Sequence, residues 1–141
     1  MPKLPVEAVP QRGTIFYDSV RRKDAMALSI DLAQEPACWV LTLRGDLDYG
    51  ECSSFRINID RILKSAPPAT IVDLSDLEYL DSSGLGLLLS LSKEYGSQGG
   101  NLVLVTNETV DNILSLTRLN GIFSTAISLG EAKQIVSGSV S

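Results

Sequence analysis

Along this chain the apolar residues switch repeatedly between two spacings, every second position and every third or fourth, and that switching limits the folds open to it. Successive side chains of a strand point to opposite faces, whereas a helix returns to one face after three or four residues. From Ala25 onward, Met26, Leu28, Ile30 and Leu32 alternate with Ala27, Ser29 and Asp31, which predicts a half-buried strand. Glu35-Pro36 marks a turn, after which Trp39, Leu41 and Leu43 alternate with Val40, Thr42 and Arg44. Two strands with so short a connection are expected to pair antiparallel.

The period then lengthens. Cys52, Phe55, Ile59 and Ile62 recur at spacings of three and four, one face of a helix that Pro67-Pro68 ends. Thr70-Ile71-Val72-Asp73-Leu74 predicts a strand followed by a loop. Leu85, Leu87, Leu88, Leu89 and Leu91 then make a helix apolar nearly all round, hence buried, which Gly99-Gly100 closes. Asn101-Leu102-Val103-Leu104-Val105 predicts a buried strand. Thr106 and Asn107 are capping residue types ahead of a third helix through Val110, Ile113, Leu114 and Thr117. Ala126, Ile127 and Leu129 predict a last short strand, and Gly130 leads into Ala132, Ile135 and Val136 at helical spacing.

This order predicts an α/β fold. A mixed sheet of about five strands, its first strand antiparallel at the edge, should carry about four helices. The 141 residues suit one domain with one core. It is expected over residues 25–136, after a Pro-punctuated leader over 1–24 that is partly ordered at most. Within the leader, Thr14-Ile15-Phe16-Tyr17 reads as a short strand, and residues 137–141 read as a flexible tail.

Charge and composition exclude several function classes. The net charge is -5, with five Lys/Arg against three Asp/Glu in residues 1–24 and seven against fourteen beyond. Nucleic-acid binding needs clustered cations, so an acidic body argues against it, and it resists anionic membranes while favouring a basic partner surface. Pro2, Pro5 and Pro10 stand where a signal peptide's apolar region would lie, and no apolar run approaches a membrane span. A cytoplasmic protein that binds no membrane is the expectation. The chain has no histidine and only Cys38 and Cys52, so zinc sites are effectively closed to it, and no metal or cofactor is expected. Both cysteines are expected in the core as small hydrophobes, although spacing alone leaves a disulfide between them open.

Parallel α/β sheets bind ligands beyond the carboxyl ends of their strands, which singles out residues 75–86. There Leu80-Asp81-Ser82-Ser83-Gly84-Leu85-Gly86 follows a strand and opens the buried helix, so serine hydroxyls stand beside unsatisfied backbone N–H groups able to receive a phosphate. The plain alternative is that Asp81, Ser82 and Ser83 only cap the helix, worth about 1 kcal/mol, and that Gly84 and Gly86 only permit close packing. A dinucleotide fingerprint fails, because its third glycine position is Leu89, and no Walker-type Gly-Lys-Ser/Thr is present. A serine nucleophile would lack its usual histidine base. Asp46, Asp48, Asp73, Asp76 and Asp81 near strand ends leave carboxylate chemistry open, with solvated loop acids the commoner explanation. No catalytic residue is expected.

The segment Ile71-Val72-Asp73-Leu74-Ser75-Asp76-Leu77-Glu78-Tyr79-Leu80-Asp81-Ser82-Ser83-Gly84-Leu85-Gly86 resembles the signature of the STAS domain, in its anti-sigma factor antagonist branch. Gly45-Asp46-Leu47-Asp48 resembles the family's second-strand exit, and Arg118-Leu119-Asn120-Gly121-Ile122-Phe123 its late helix-to-strand turn. Tyr49-Gly50 departs from the small polar residues the family usually has there, and the leader is longer than a minimal antagonist's.

The resemblance implies a partner switch. The unphosphorylated antagonist binds an anti-sigma factor that is also a serine-protein kinase and frees the sigma factor; phosphorylation then separates the pair, and a phosphatase is implied to reset it. Ser82 maps to the acceptor, Ser83 to a helix-start residue, and Asp48, Asp81, Ser82, Ser83, Gly84 and Leu85 to the partner surface. The rival expectations are a STAS scaffold subunit of a signalling or lipid-transport complex that is never phosphorylated, an enzyme using the acidic loops, and a detached transporter tail.

Overall fold

The computed structural model describes residues 27–138. The strand expected at 14–17, and the first two residues of the strand expected from Ala25, lie outside that range. Five strands form one sheet in the order β1-β2-β3-β4-β5, comprising β1 (Ser29–Gln34), β2 (Trp39–Leu47), β3 (Ala69–Leu80), β4 (Asn101–Val105) and β5 (Ser124–Ala126). β1 is antiparallel to β2, and every later pair is parallel. The helices are α1 (Cys52–Ser65), α2 (Ser82–Ser97), α3 (Glu108–Leu116) and α4 (Leu129–Ser137). This is the mixed sheet with an antiparallel edge strand and four helices that the spacing of apolar residues predicts.

Right-handed crossovers between successive parallel strands keep their helices on one side of the sheet. Accordingly Phe55 and Ile62 of α1, Leu88 and Leu91 of α2, and Val110 and Leu114 of α3 share one core with Leu41, Leu43, Val72 and Leu104. α4 packs Ala132 on the opposite face, over Val40, Ile71, Val103 and Val105. Cys38 belongs to that second cluster and Cys52 to the first, and both are free thiols. The sheet separates them, so no disulfide joins them.

α2 is the most deeply seated helix, with Leu85, Leu87, Leu88, Leu91 and Tyr95 all buried. Each such side chain contributes about 1.5–3 kcal/mol by leaving water. Gly86 and Ser90 nevertheless face solvent, so the helix keeps one wet stripe. At its far end the Tyr95 hydroxyl donates to the Pro67 carbonyl and accepts from Thr70 Oγ1 at 3.1 Å, tying α2 to the start of β3. Gly99, at φ 86°, makes the left-handed turn into β4.

Three local expectations are corrected. β3 does not give way to a loop after Leu74 but runs on to Leu80. β5 ends at Ala126, leaving Ile127 84% exposed, and Leu129 opens α4 behind the N-cap Ser128, whose side chain accepts from Glu131 N. α4 extends through Ser137 to a left-handed Gly138, so the expected tail is helical at its first residue.

Candidate functional site

The extension of β3 builds the site. Thr42 of β2 pairs with Asp73 and Arg44 with Asp76, then Gly45 pairs with Leu77 and Asp46 with Tyr79. From Thr42 to Arg44, and again from Gly45 to Asp46, β3 advances one residue more than β2; each shift is a bulge, and a bulge bends a strand and breaks its alternation. β4 accompanies β3 only as far as Asp73, so residues 75–80 pair with β2 alone. The edge that β4 vacates is closed by Asn107, whose Nδ2 donates to the Ser75 carbonyl at 3.1 Å and the Leu77 carbonyl at 2.8 Å. The same side chain caps α3 by accepting from Val110 N at 2.8 Å.

β2 and β3 end side by side, with Leu47 opposite Leu80 and Asp81 N donating to the Leu47 carbonyl. β2 continues through Asp48 into a 3-10 turn, Tyr49–Glu51, and then α1. β3 continues through Asp81 directly into α2. The Asp81 carboxylate joins the two exits: Oδ1 accepts from Ser83 N at 3.0 Å and Gly84 N at 3.2 Å, and Oδ2 accepts from Tyr49 N at 3.0 Å. A carboxylate suits this position, since orphan N–H groups and the helix dipole both favour an anion there.

Ser82 is therefore the first helical residue, one position earlier than the helix start expected at Ser83, and Asp81 supplies the cap in its place. Its side chain stands exposed beside the half-buried Asp48, Asp81 and Ser83. Gly84 and Leu85 of the expected partner surface instead face inward. Leu85 is 7% exposed, and a Cβ on Gly84 would fall 2.7 Å from Leu47 Cγ and 2.9 Å from Leu80 Cδ1. They seat α2 against the strand ends, and the outer surface is left to Asp48, Asp81, Ser82 and Ser83. Of the backbone N–H groups at this helix start, those of Ser83 and Gly84 are already bonded to Asp81 Oδ1.

Beneath this surface, Cys52 Sγ donates to the Asp48 carbonyl at 3.3 Å. Burial pushes its thiol up from 9.0 to about 11, helped by the carboxylates of Asp81 and Asp48 and opposed by Arg56. A thiol so shifted is not a nucleophile near neutral pH. Of the other acids near the strand ends, Asp73 accepts from Ser75 N and Oγ at the bulge, Asp76 pairs with Arg44 at 3.5 Å, and Asp46 is 1% exposed. Among the described residues no group of three or more His, Cys, Asp or Glu is placed to hold a metal ion, and no helix is long and apolar enough to cross a membrane.

Two residues carry more than their sequence context suggests. Asn107 reads as a cap and nothing more, and its second role depends on the β3 extension. Tyr49 stands out in sequence only as a departure from a pattern, yet its backbone is bonded to the cap of α2 and the residue is 79% exposed.

The chain is thus a mixed five-stranded sheet with an exposed serine opening the helix after its central strand. The chain belongs to the STAS domain family, whose model matches residues 29–132. It is 35% identical over 80 residues to a candidate anti-sigma factor antagonist of Thermotoga neapolitana, covering 56% of this chain and 71% of that protein. To the anti-sigma F factor antagonist of Paenibacillus polymyxa it is 28% identical over 96 residues, 67% of this chain and 82% of that one. The anti-sigma factor antagonist SpoIIAA in its unphosphorylated form superposes with a TM-score of 0.68 at 26% identity, over 80% of this chain and 100% of that one. The phosphorylated Bacillus form has the same fold, at a TM-score of 0.62 and 24% identity over 77% and 99% of the two chains.

Proposed function

We propose that this chain is an anti-sigma factor antagonist switched by phosphorylation of Ser82. Its unphosphorylated surface, formed by Asp48, Ser82 and Ser83, binds an anti-sigma factor that is also a serine kinase, and the sigma factor is released. Transfer of the ATP γ-phosphoryl group to Ser82 Oγ ends that binding, and a phosphatase restores the hydroxyl. The chain performs no catalysis of its own: Ser82 is a substrate, and the kinase supplies the base and the metal-bound nucleotide. It acts in the cytoplasm, away from membranes and nucleic acid.

The observation that carries this reading is the exposed Ser82 side chain at the first residue of α2. Capping belongs to Asp81, so the hydroxyl is left at the surface. A phosphate there brings about -1.5 to -2 charges. The Ser83 and Gly84 N–H groups that would stabilise it are already bonded to Asp81, so the new charge faces that carboxylate and meets a partner surface fitted to a neutral hydroxyl. Such a mismatch can cost several kcal/mol at an interface.

Incubation with a purified anti-sigma factor kinase and ATP, followed by intact-mass measurement, tests the acceptor. One added phosphoryl group is expected on the wild-type chain and none on Ser82→Ala. Phosphorylation of Ser82→Ala to the wild-type extent would overturn the assignment.

A further inference from the structure

Among the described residues the exposed large apolar ones are Tyr49, Ile57, Leu116, Ile122 and Ile127, and of these Tyr49 alone lies on the exits of β2 and β3 that frame Ser82. The fold uses its backbone, through the 3.0 Å bond from Tyr49 N to Asp81 Oδ2, and leaves its ring in water. Because that carboxylate also caps the helix that Ser82 opens, the Tyr49 backbone is tied to the start of the helix that carries the acceptor hydroxyl. A Cβ at Gly50 would fall 3.4 Å from Asp48 Oδ1, so the Asp48 carboxylate lies close to the backbone that follows the tyrosine.

We infer that Tyr49 is the anchor by which the switch partner is recognised, its ring entering an apolar slot on the anti-sigma factor kinase whose rim carries cations facing Asp48 and Glu51. The inference rests on the proposed function and names the residue that gives it affinity and selectivity. A tyrosine buries a large apolar area with few rotatable bonds to immobilise, and a backbone already tied down adds no ordering cost of its own on binding. The carboxylates set the character of the rim. Opposite charges there speed encounter and discriminate against acidic surfaces, while the buried ring governs dissociation.

The test uses the full chain and the kinase that co-purifies with it, identified by mass spectrometry and re-expressed. Binding kinetics are measured for the wild type, Tyr49→Ala, Tyr49→Phe, Asp48→Asn with Glu51→Gln, and Ser82→Asp. Tyr49→Ala is expected to bind about thirtyfold more weakly, mainly through faster dissociation, with an unchanged melting temperature. Tyr49→Phe should stay within about threefold of the wild type, and the double carboxamide variant should slow association and flatten its salt dependence. Wild-type dissociation by Tyr49→Ala, with Ser82→Asp still losing binding, would overturn the anchor and leave the switch intact. Full binding by Ser82→Asp would overturn the switch itself, and failure of any kinase to co-purify would overturn both.

Discussion

The Asp81 carboxylate holds the Tyr49 backbone N–H at 3.0 Å with one oxygen and caps α2 with the other. One side chain thereby joins the exits of two neighbouring strands beside Ser82.

Loss of that carboxylate should loosen both exits. Asp81→Ala removes an N-cap and a charged acceptor for three N–H groups, and it is expected to destabilise the fold by about 2 kcal/mol. Asp81→Asn keeps one acceptor oxygen and should cost about half as much. Urea denaturation of the three proteins checks the order.

Two glycines of the same helix should respond with opposite signs. A Cβ on Gly84 meets Leu47 and Leu80 at under 3 Å, whereas nothing lies within 4 Å of one on Gly86. Gly84→Ala is expected to destabilise by about 1–3 kcal/mol through overpacking. Gly86→Ala should stabilise by about 0.5–1 kcal/mol through helix propensity. Thermal melts of both variants would show equal shifts if α2 were not pressed against the strand ends.

Asn107 offers a test of how the β3 extension is held. Asn107→Asp keeps the α3 cap but replaces two donated hydrogen bonds, to Ser75 and Leu77, with a carboxylate against two carbonyls. A loss of about 2 kcal/mol is expected. Faster amide exchange in residues 75–80 than in β4 would locate the damage, and uniform exchange would contradict it.

How far the sequence discloses this architecture depends on where the apolar period survives. It survives in α1, where Cys52, Phe55, Ile59 and Ile62 are all buried as spacing predicts, and in β4, whose bounds match the apolar run. It fails in β3. The two bulges set Leu74, Leu77 and Leu80 three apart, and with Ser75, Asp76 and Glu78 between them the segment looks like a loop. A bulge is dictated by the register of the neighbouring strand, which no local pattern contains. The start of α4 carries a local signal that the expected strand through Leu129 overrides: Ser128-Leu129-Gly130-Glu131 has the spacing of a capping box, and Glu131 reaches back to Ile127 N at 2.9 Å. For the site, the Asp-Ser-Ser-Gly run points to an exposed serine at a helix start. Its division into a capping Asp81, an outward Ser82 and an inward Gly84-Leu85 requires the packing against Leu47.

The buried thiol under the site gives a pH signature. Folding raises the Cys52 pKa from 9.0 to about 11, so the folded chain keeps a proton that the unfolded chain releases. Its contribution is fully present below pH 9 and is lost as pH climbs from about 9 toward 11. Stability should fall over that interval, and the fall should be shallower in Cys52→Ala. Denaturant titrations at several pH values check this, and parallel slopes for the two proteins would refute it.

The central claim is that a phosphate on Ser82 acts on association and leaves the fold intact. Calorimetric titration of the unphosphorylated and the stoichiometrically phosphorylated chain against the anti-sigma factor kinase tests it most directly. The account predicts affinity reduced at least about tenfold, or 1.4 kcal/mol, with the melting temperature moved by no more than a few degrees. Equal affinities for the two forms would contradict it.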